Sequence, residues 1–130
     1  MNNRMEIGLL LIRVVLGITF AIHGYDKFHS GIDNTAQWFA SIGLPQFLTY
    51  VVALLELVGG ILLTLGLASR IISALYAIIM VFAIFMVKIS VGFIGGAEID
   101  LALFAMAILI VLAGSGKFAL DRVFFNSSQD

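Results

Sequence analysis

The chain has 130 residues, 62% of them hydrophobic and 12% charged, with a net charge of −1 and no cysteine. Its mean hydropathy is +1.13, which excludes an ordinary soluble domain and points to one compact membrane domain over residues 1–130. Without a basic block there is no footprint for nucleic acid. Without cysteine, disulfides, iron–sulfur ligation and thiol redox chemistry within the chain are excluded.

The first apolar run spans about 6–24. Arg13 interrupts it, and no small-x-small pattern follows before Gly24-Tyr25-Asp26-Lys27, so a retained helix is expected rather than a secretory signal. The loop after it is the longest. Asp33 or Asn34 is placed to cap a short helix running through Trp38 and Phe39 to Ile42, which Gly43 and Pro45 end. Its apolar residues share a face, so it is expected to lie flat on the outer membrane surface with Trp38 at headgroup level. A lid over a site is the alternative.

A second span covers about 47–67. Only Ala68-Ser69-Arg70 separates it from the third, about 71–87, and so short a connection makes an antiparallel hairpin. In the fourth, Leu101–Ala113 alone is too short to cross a bilayer, so the span is set at about 94–114. This draws Glu98 and Asp100 into the outer part of the membrane. Two positions apart on a helix, they cannot share a face; one is expected to face the bundle and the other to reach toward water. In the tail, 115–130, Phe118, Val123, Phe124 and Phe125 are expected to dip into the inner interface while Lys117 and Arg122 meet anionic lipid. Ser127-Ser128-Gln129-Asp130 is expected to fray.

The expected fold is therefore all-α: an integral-membrane antiparallel four-helix bundle with a short interfacial helix in the first outer loop. Arg4, Arg70, Lys117 and Arg122 fall on the side of both termini, and Lys27 and Lys88 on the other. That asymmetry predicts a multi-pass protein of the cell membrane with cytoplasmic N- and C-termini.

Two intramembrane charges of opposite sign are the chemical signal. A charge at that depth costs ~2.5–3.5 kcal/mol or more, and Arg13 and Glu56 together invite a buried ion pair. Arg13 lies ~13 Å beyond Arg4 and Glu56 ~16 Å before Leu67 at helical rise, which are compatible depths on antiparallel neighbours. A guanidinium also offers a carboxylate two parallel hydrogen bonds. Gly59 and Gly60 follow on the face of Glu56, and Gly17 on that of Arg13, giving close approach and room for a ligand. The pair reads either as a lock between two helices or as a site where Glu56 exchanges a proton under the influence of Arg13. His23, at the outer end of the first span, is placed to relay protons, and with Lys27 and Glu98 forms a second polar group at the outer mouth. His29 adds little. Two histidines so close in sequence cannot supply haem ligands from opposing helices, and no metal site is expected. Phe20, Tyr76, Phe82, Phe85 and Phe104 are candidates to stack on a flat ring, with lipid-facing or core packing as the default.

Arg13-x3-Gly17-x2-Phe20-x2-His23-Gly24-x2-Lys27 resembles the first-helix signature of the DoxX family of small bacterial membrane proteins. Leu55-Glu56-Leu57-Val58-Gly59-Gly60-Ile61-Leu62-Leu63 with Leu65-Gly66 resembles its second-helix motif, and Glu98-x2-Leu101 and Gly114–Arg122 its last helix and closing segment. The family often shows proline where this chain has Ser115 and serine where it has Ala119. The resemblance covers about residues 8–122. It implies a four-helix membrane protein carrying an oxidoreductase label, in a family associated with thiosulfate:quinone oxidoreductase, with membrane complexes in oxidative stress and with quinone or catechol detoxification.

These readings converge on a membrane oxidoreductase component that binds a quinone or related small aromatic. Glu56, Arg13 and His23 are its expected catalytic residues. Lys27, Glu98, Asp100, Gly59, Gly60 and Phe20 are the expected binding residues. No intrinsic cofactor is expected, a quinone entering as substrate or bound ligand, so electrons must come from a partner or the substrate. The expected partners are the lipid bilayer, a soluble redox protein and a second copy of the chain. The alternatives are a small proton-coupled transporter, with Glu56 alternating between proton and substrate, and an anchor or assembly subunit that docks a soluble redox enzyme on Lys117–Phe125.

Overall fold

The computed structural model describes residues 2–88 and 92–125, with the side chains of 87, 88 and 123–125 outside the description. Six α-helices follow in order: α1 (Asn3–His29), α2 (Ile32–Ser41), α3 (Phe47–Leu65), α4 (Ser69–Ala83), α5 (Glu98–Ala113) and α6 (Leu120–Phe125). A π-helical turn, Ile84–Lys88, extends α4, and another, Phe93–Ala97, leads into α5. Four helical stretches are long and apolar enough to cross a membrane: Asn3–His29, Phe47–Leu65, Ser69–Met86 and Phe93–Ala113. The expected four spans and all-α class are thus present, with α1 longer at both ends than its apolar run.

Each spanning helix carries an inside-out stripe. Ile7, Leu11, Val15, Ile18 and Ile22 are exposed along α1, and Val51, Leu54, Val58, Ile61 and Leu65 along α3. The three-and-four spacing is that of a helical face, and in a chain this apolar the outward face meets acyl chains. The opposite faces supply a core of Leu16, Phe20, Leu63, Tyr76, Ala107 and Ile110, all essentially inaccessible.

Small residues set the register between α1 and α3. A Cβ built on Gly60 would overlap the backbone of Gly17 and Ala21, and one on Gly24 would overlap Leu57 and the Ala53 carbonyl. Gly17 thus stands opposite Gly60 and Gly24 opposite Ala53, with the helices running in opposite directions and their backbones touching. At the end carrying the termini, α3 stops at Gly66, whose φ of 84° is left-handed, with Leu67 N–H donating to Leu62 O at 2.8 Å. There Arg70 donates to Leu112 O at 3.4 Å, placing the start of α4 beside the end of α5.

The segment after α5 folds back across that end of the bundle and leaves Phe118 exposed there. Glu6, buried, accepts the Lys117 backbone N–H at 2.6 Å, while the Lys117 ammonium bonds Asn3. Asp121 accepts from Ala68 N–H at 3.1 Å and from Ser115 Oγ at 2.6 Å, and its own N–H donates to Gly66 O at 3.1 Å. These bonds satisfy helix-terminal groups that would otherwise be orphaned. The expected interfacial side chains Val123, Phe124 and Phe125, and the terminal Ser127–Asp130, lie outside the described positions.

Candidate functional site

The expected Arg13–Glu56 pair does not form. Arg13 is 1% exposed and donates through Nη1 to Leu63 O and Thr64 O, each at 3.1 Å, and through Nη2 to Phe118 O at 2.7 Å. The carbonyls of Leu63 and Thr64 belong to the last turn of α3 and carry the negative end of the helix dipole; Leu63 O also accepts the capping Gly66 N–H at 3.0 Å. Arg13 thereby caps α3 and ties it to the tail.

Glu56 pairs instead with Lys27, whose Nζ lies 2.9 Å from Oε1 and 3.1 Å from Oε2. Arg13 is four residues before Gly17 and comes level with Thr64, four residues after Gly60. Helical side chains lean toward their own N-terminus. On antiparallel helices this carries Arg13 toward the terminal end and Glu56 away from it. The same lean brings Lys27 and Glu56 toward each other. The ends of the apolar runs are not level with one another, because α1 extends past its run at both ends, so depth along a run does not give this register.

The pair opens on a cavity of about 300 Å³ at the end of the bundle away from the termini. Phe20, His23 and Lys27 line it from α1, Val52 and Glu56 from α3, Ile79, Met80 and Ala83 from α4, and Asp100 and Leu103 from α5. Trp38 and Phe39 of α2, with Ile42 and Leu44 after it, form the remaining wall. The short helix therefore covers a site. Its aromatic face was visible in the sequence, but the direction of that face was not.

Glu56 is 4% exposed, whereas the Lys27 side chain is 24% exposed, so the ammonium links a buried carboxylate to the exterior. His23 is exposed at the rim and Asp100 is buried in the wall. Glu98 is absent from the cavity: its Oε1 accepts the Gly95 N–H at 2.8 Å before α5. As expected for residues two apart, Asp100 faces the bundle and Glu98 does not.

Gly59 and Gly60 serve packing and do not line the cavity. Gly60 admits α1, and a Cβ on Gly59 would stand 2.7 Å from the Tyr76 hydroxyl. That hydroxyl donates to Leu55 O at 3.1 Å and Glu56 O at 3.2 Å. Phe20 and Tyr76 stack on each other, with centroids 3.8 Å apart and planes at 18°. Phe82 and Phe85 are exposed on the outer surface, and Phe104 packs on the core. Tyr76, fully buried, thus supports the cavity floor by fixing the α3 backbone at Glu56 itself.

The DoxX family model matches residues 8–89. A protein of Bacillus subtilis (strain 168) called "Putative oxidoreductase CatD" is 45% identical over 130 residues, covering 100% of this chain and 96% of that one. "Uncharacterized membrane protein Rv3486" of Mycobacterium tuberculosis is 30% identical, over 88% of this chain and 79% of its own length. "Inner membrane protein YqjF" of Escherichia coli (strain K12) is 25% identical, over 95% and 96%. No solved structure matches the chain.

Proposed function

The chain belongs to the DoxX family of multi-pass membrane proteins, and from that premise we propose that it is the ring-binding component of a membrane oxidoreductase. A quinone or related small aromatic enters the cavity under α2. Lys27 donates to a ring oxygen there, Glu56 holds the Lys27 ammonium and bonds the oxygen when it carries a proton, and His23 exchanges protons with the water outside. The observation that carries this reading is the Lys27–Glu56 ion pair set in the wall of an otherwise largely apolar cavity. About 300 Å³ lies at the lower end of small-molecule sites and suits one ring. A few convergent polar groups in apolar walls are the usual form of such a site. The oxidoreductase name of the Bacillus subtilis relative supports the same class.

Reduction of a quinone to its quinol consumes two electrons and two protons. The protons pass by Glu56 and His23. The electrons come from a soluble redox partner or a reduced substrate. We place the termini in the cytoplasm, on the balance of Arg4, Arg70, Lys117 and Arg122 at their end.

Trp38 is the one tryptophan of the chain and stands in the cavity wall. In nanodiscs, a tetramethyl-benzoquinone should therefore quench its emission saturably, and Lys27→Met should weaken that binding at least fivefold. Quenching that rises linearly, as in solution collisions, overturns the reading.

A further inference from the structure

Resting on that ring-binding reading, we infer that the site selects a small neutral ring bearing a hydroxyl, and so prefers the reduced, phenolic form of its ligand to the carbonyl form. The Lys27 ammonium has three N–H donors and no acceptor, and the ionised Glu56 carboxylate has acceptors only. Nζ approaches Oε1 at 2.9 Å and Oε2 at 3.1 Å, which spends at most two of its three N–H groups on the pair. The third N–H and the remaining carboxylate lone pairs stand side by side, and both residues line the cavity. This is a donor next to an acceptor, 3 Å apart.

A hydroxyl answers both. Its oxygen accepts from Lys27 while its O–H donates to Glu56, and both bonds are charge-assisted. A ring carbonyl accepts from Lys27 but presents only lone pairs to the carboxylate. An ether does the same. A ligand carboxylate adds a negative charge beside Glu56 and the buried Asp100, in surroundings with few other polar groups to offset it. Phe20, Trp38 and Phe39 supply flat apolar wall for the ring itself. Neutral, aromatic and hydroxylated is the combination that leaves no group unmatched.

By linkage, a site that binds the dihydroxy form more tightly makes the bound couple easier to reduce. A tenfold preference raises its two-electron potential by about 30 mV. The site thereby favours reduction of the ring over its oxidation.

The test is anaerobic equilibrium dialysis of the full chain in nanodiscs, with empty nanodiscs subtracted for partition into lipid. The ligands are a tetramethyl-hydroquinone, the matching quinone and the dimethyl ether; full ring substitution prevents addition to amines. The hydroquinone should bind at least tenfold more tightly than either of the others. Glu56→Gln places an N–H donor beside Lys27, so it should improve quinone binding and narrow the difference to below threefold. Wild-type affinities within threefold of one another, or tighter quinone binding, would overturn the hydroxyl preference and leave the ring site standing. No saturable binding of any of the three would remove the ring site and this inference with it. The wild-type series decides even where the Gln variant does not fold.

Discussion

Lys27 on α1 and Glu56 on α3 meet at 2.9 Å across the α1–α3 seam, whereas Arg13, on the same helix as Lys27, binds only backbone carbonyls among the described residues. These two of the three Lys and Arg residues in α1 thus do different work. One closes the end of a neighbouring helix, and the other compensates a carboxylate inside the bundle while keeping a quarter of its side chain exposed. Both outcomes follow from one register, set where Gly17 meets Gly60 and Gly24 meets Ala53. Neither residue adopts its partner by proximity in sequence.

Removing one member of the pair leaves the other uncompensated. Lys27→Met should lower thermal stability in detergent by about 2–3 kcal/mol, below the ~3–5 kcal/mol of a fully buried pair because Lys27 keeps some water. The double variant Lys27→Met with Glu56→Met should recover most of that loss, since no lone charge remains. A double variant less stable than the single one would show that the pair is stabilising beyond mutual compensation.

Arg13 tests the opposite role. Arg13→Met removes three charge-assisted bonds to carbonyls, each worth about 1.5–3 kcal/mol, so unfolding should be eased by at least ~3 kcal/mol. Arg13→Lys should recover only part, because an ammonium lacks the planar fork that reaches Leu63, Thr64 and Phe118 together. Ligand affinity of the folded fraction should stay within twofold of wild type, because Arg13 does not line the cavity. A tenfold loss of binding in well-folded Arg13→Lys protein would return this residue to the site.

The spans were legible in the sequence because length and apolarity alone decide them. So was the division of labour between Glu98 and Asp100, which needs only helical periodicity. The ion pair was not, because depth measured from the ends of apolar runs assumes flush helix ends. A better ruler was present: Gly17 and Gly24 are seven residues apart, as are Ala53 and Gly60, and matching the two small pairs sets the register. The folded-back tail was hidden for another reason. Most of its bonds involve backbone N–H and C=O groups, which every residue possesses, so no residue pattern announces them. The orientation of α2 needed the cavity itself, since an aromatic face reads alike against lipid or ligand.

The seam gives a packing prediction. Gly60→Leu forces a side chain into the backbone of Gly17 and Ala21, where nothing flexible can yield. It should cost several kcal/mol or prevent folding, beyond the ~1–3 kcal/mol of ordinary overpacking. Gly8→Leu, at a position with nothing within 4 Å of an added Cβ, should be neutral within about 0.5 kcal/mol. Comparable losses in the two variants, read as yield and melting temperature, would contradict the α1–α3 contact.

The cover over the cavity is held lightly at its edge. Gly31 and Gly43 flank α2 with φ of 100° and 89°, and among the described residues the side-chain tie from α2 to the rest is Tyr50 donating to Asp33 at 3.0 Å. That bond is exposed and water competes for both its partners, so it biases the closed position without fixing it. Tyr50→Phe deletes the hydroxyl and little else. It should raise the rate of ligand release two- to tenfold, followed by stopped-flow through Trp38, with the association rate also rising if α2 must swing for entry. Asp33→Asn keeps an acceptor for the same hydroxyl and should show a smaller change. Unaltered release in Tyr50→Phe would mean that the ligand passes between the spanning helices instead of under α2.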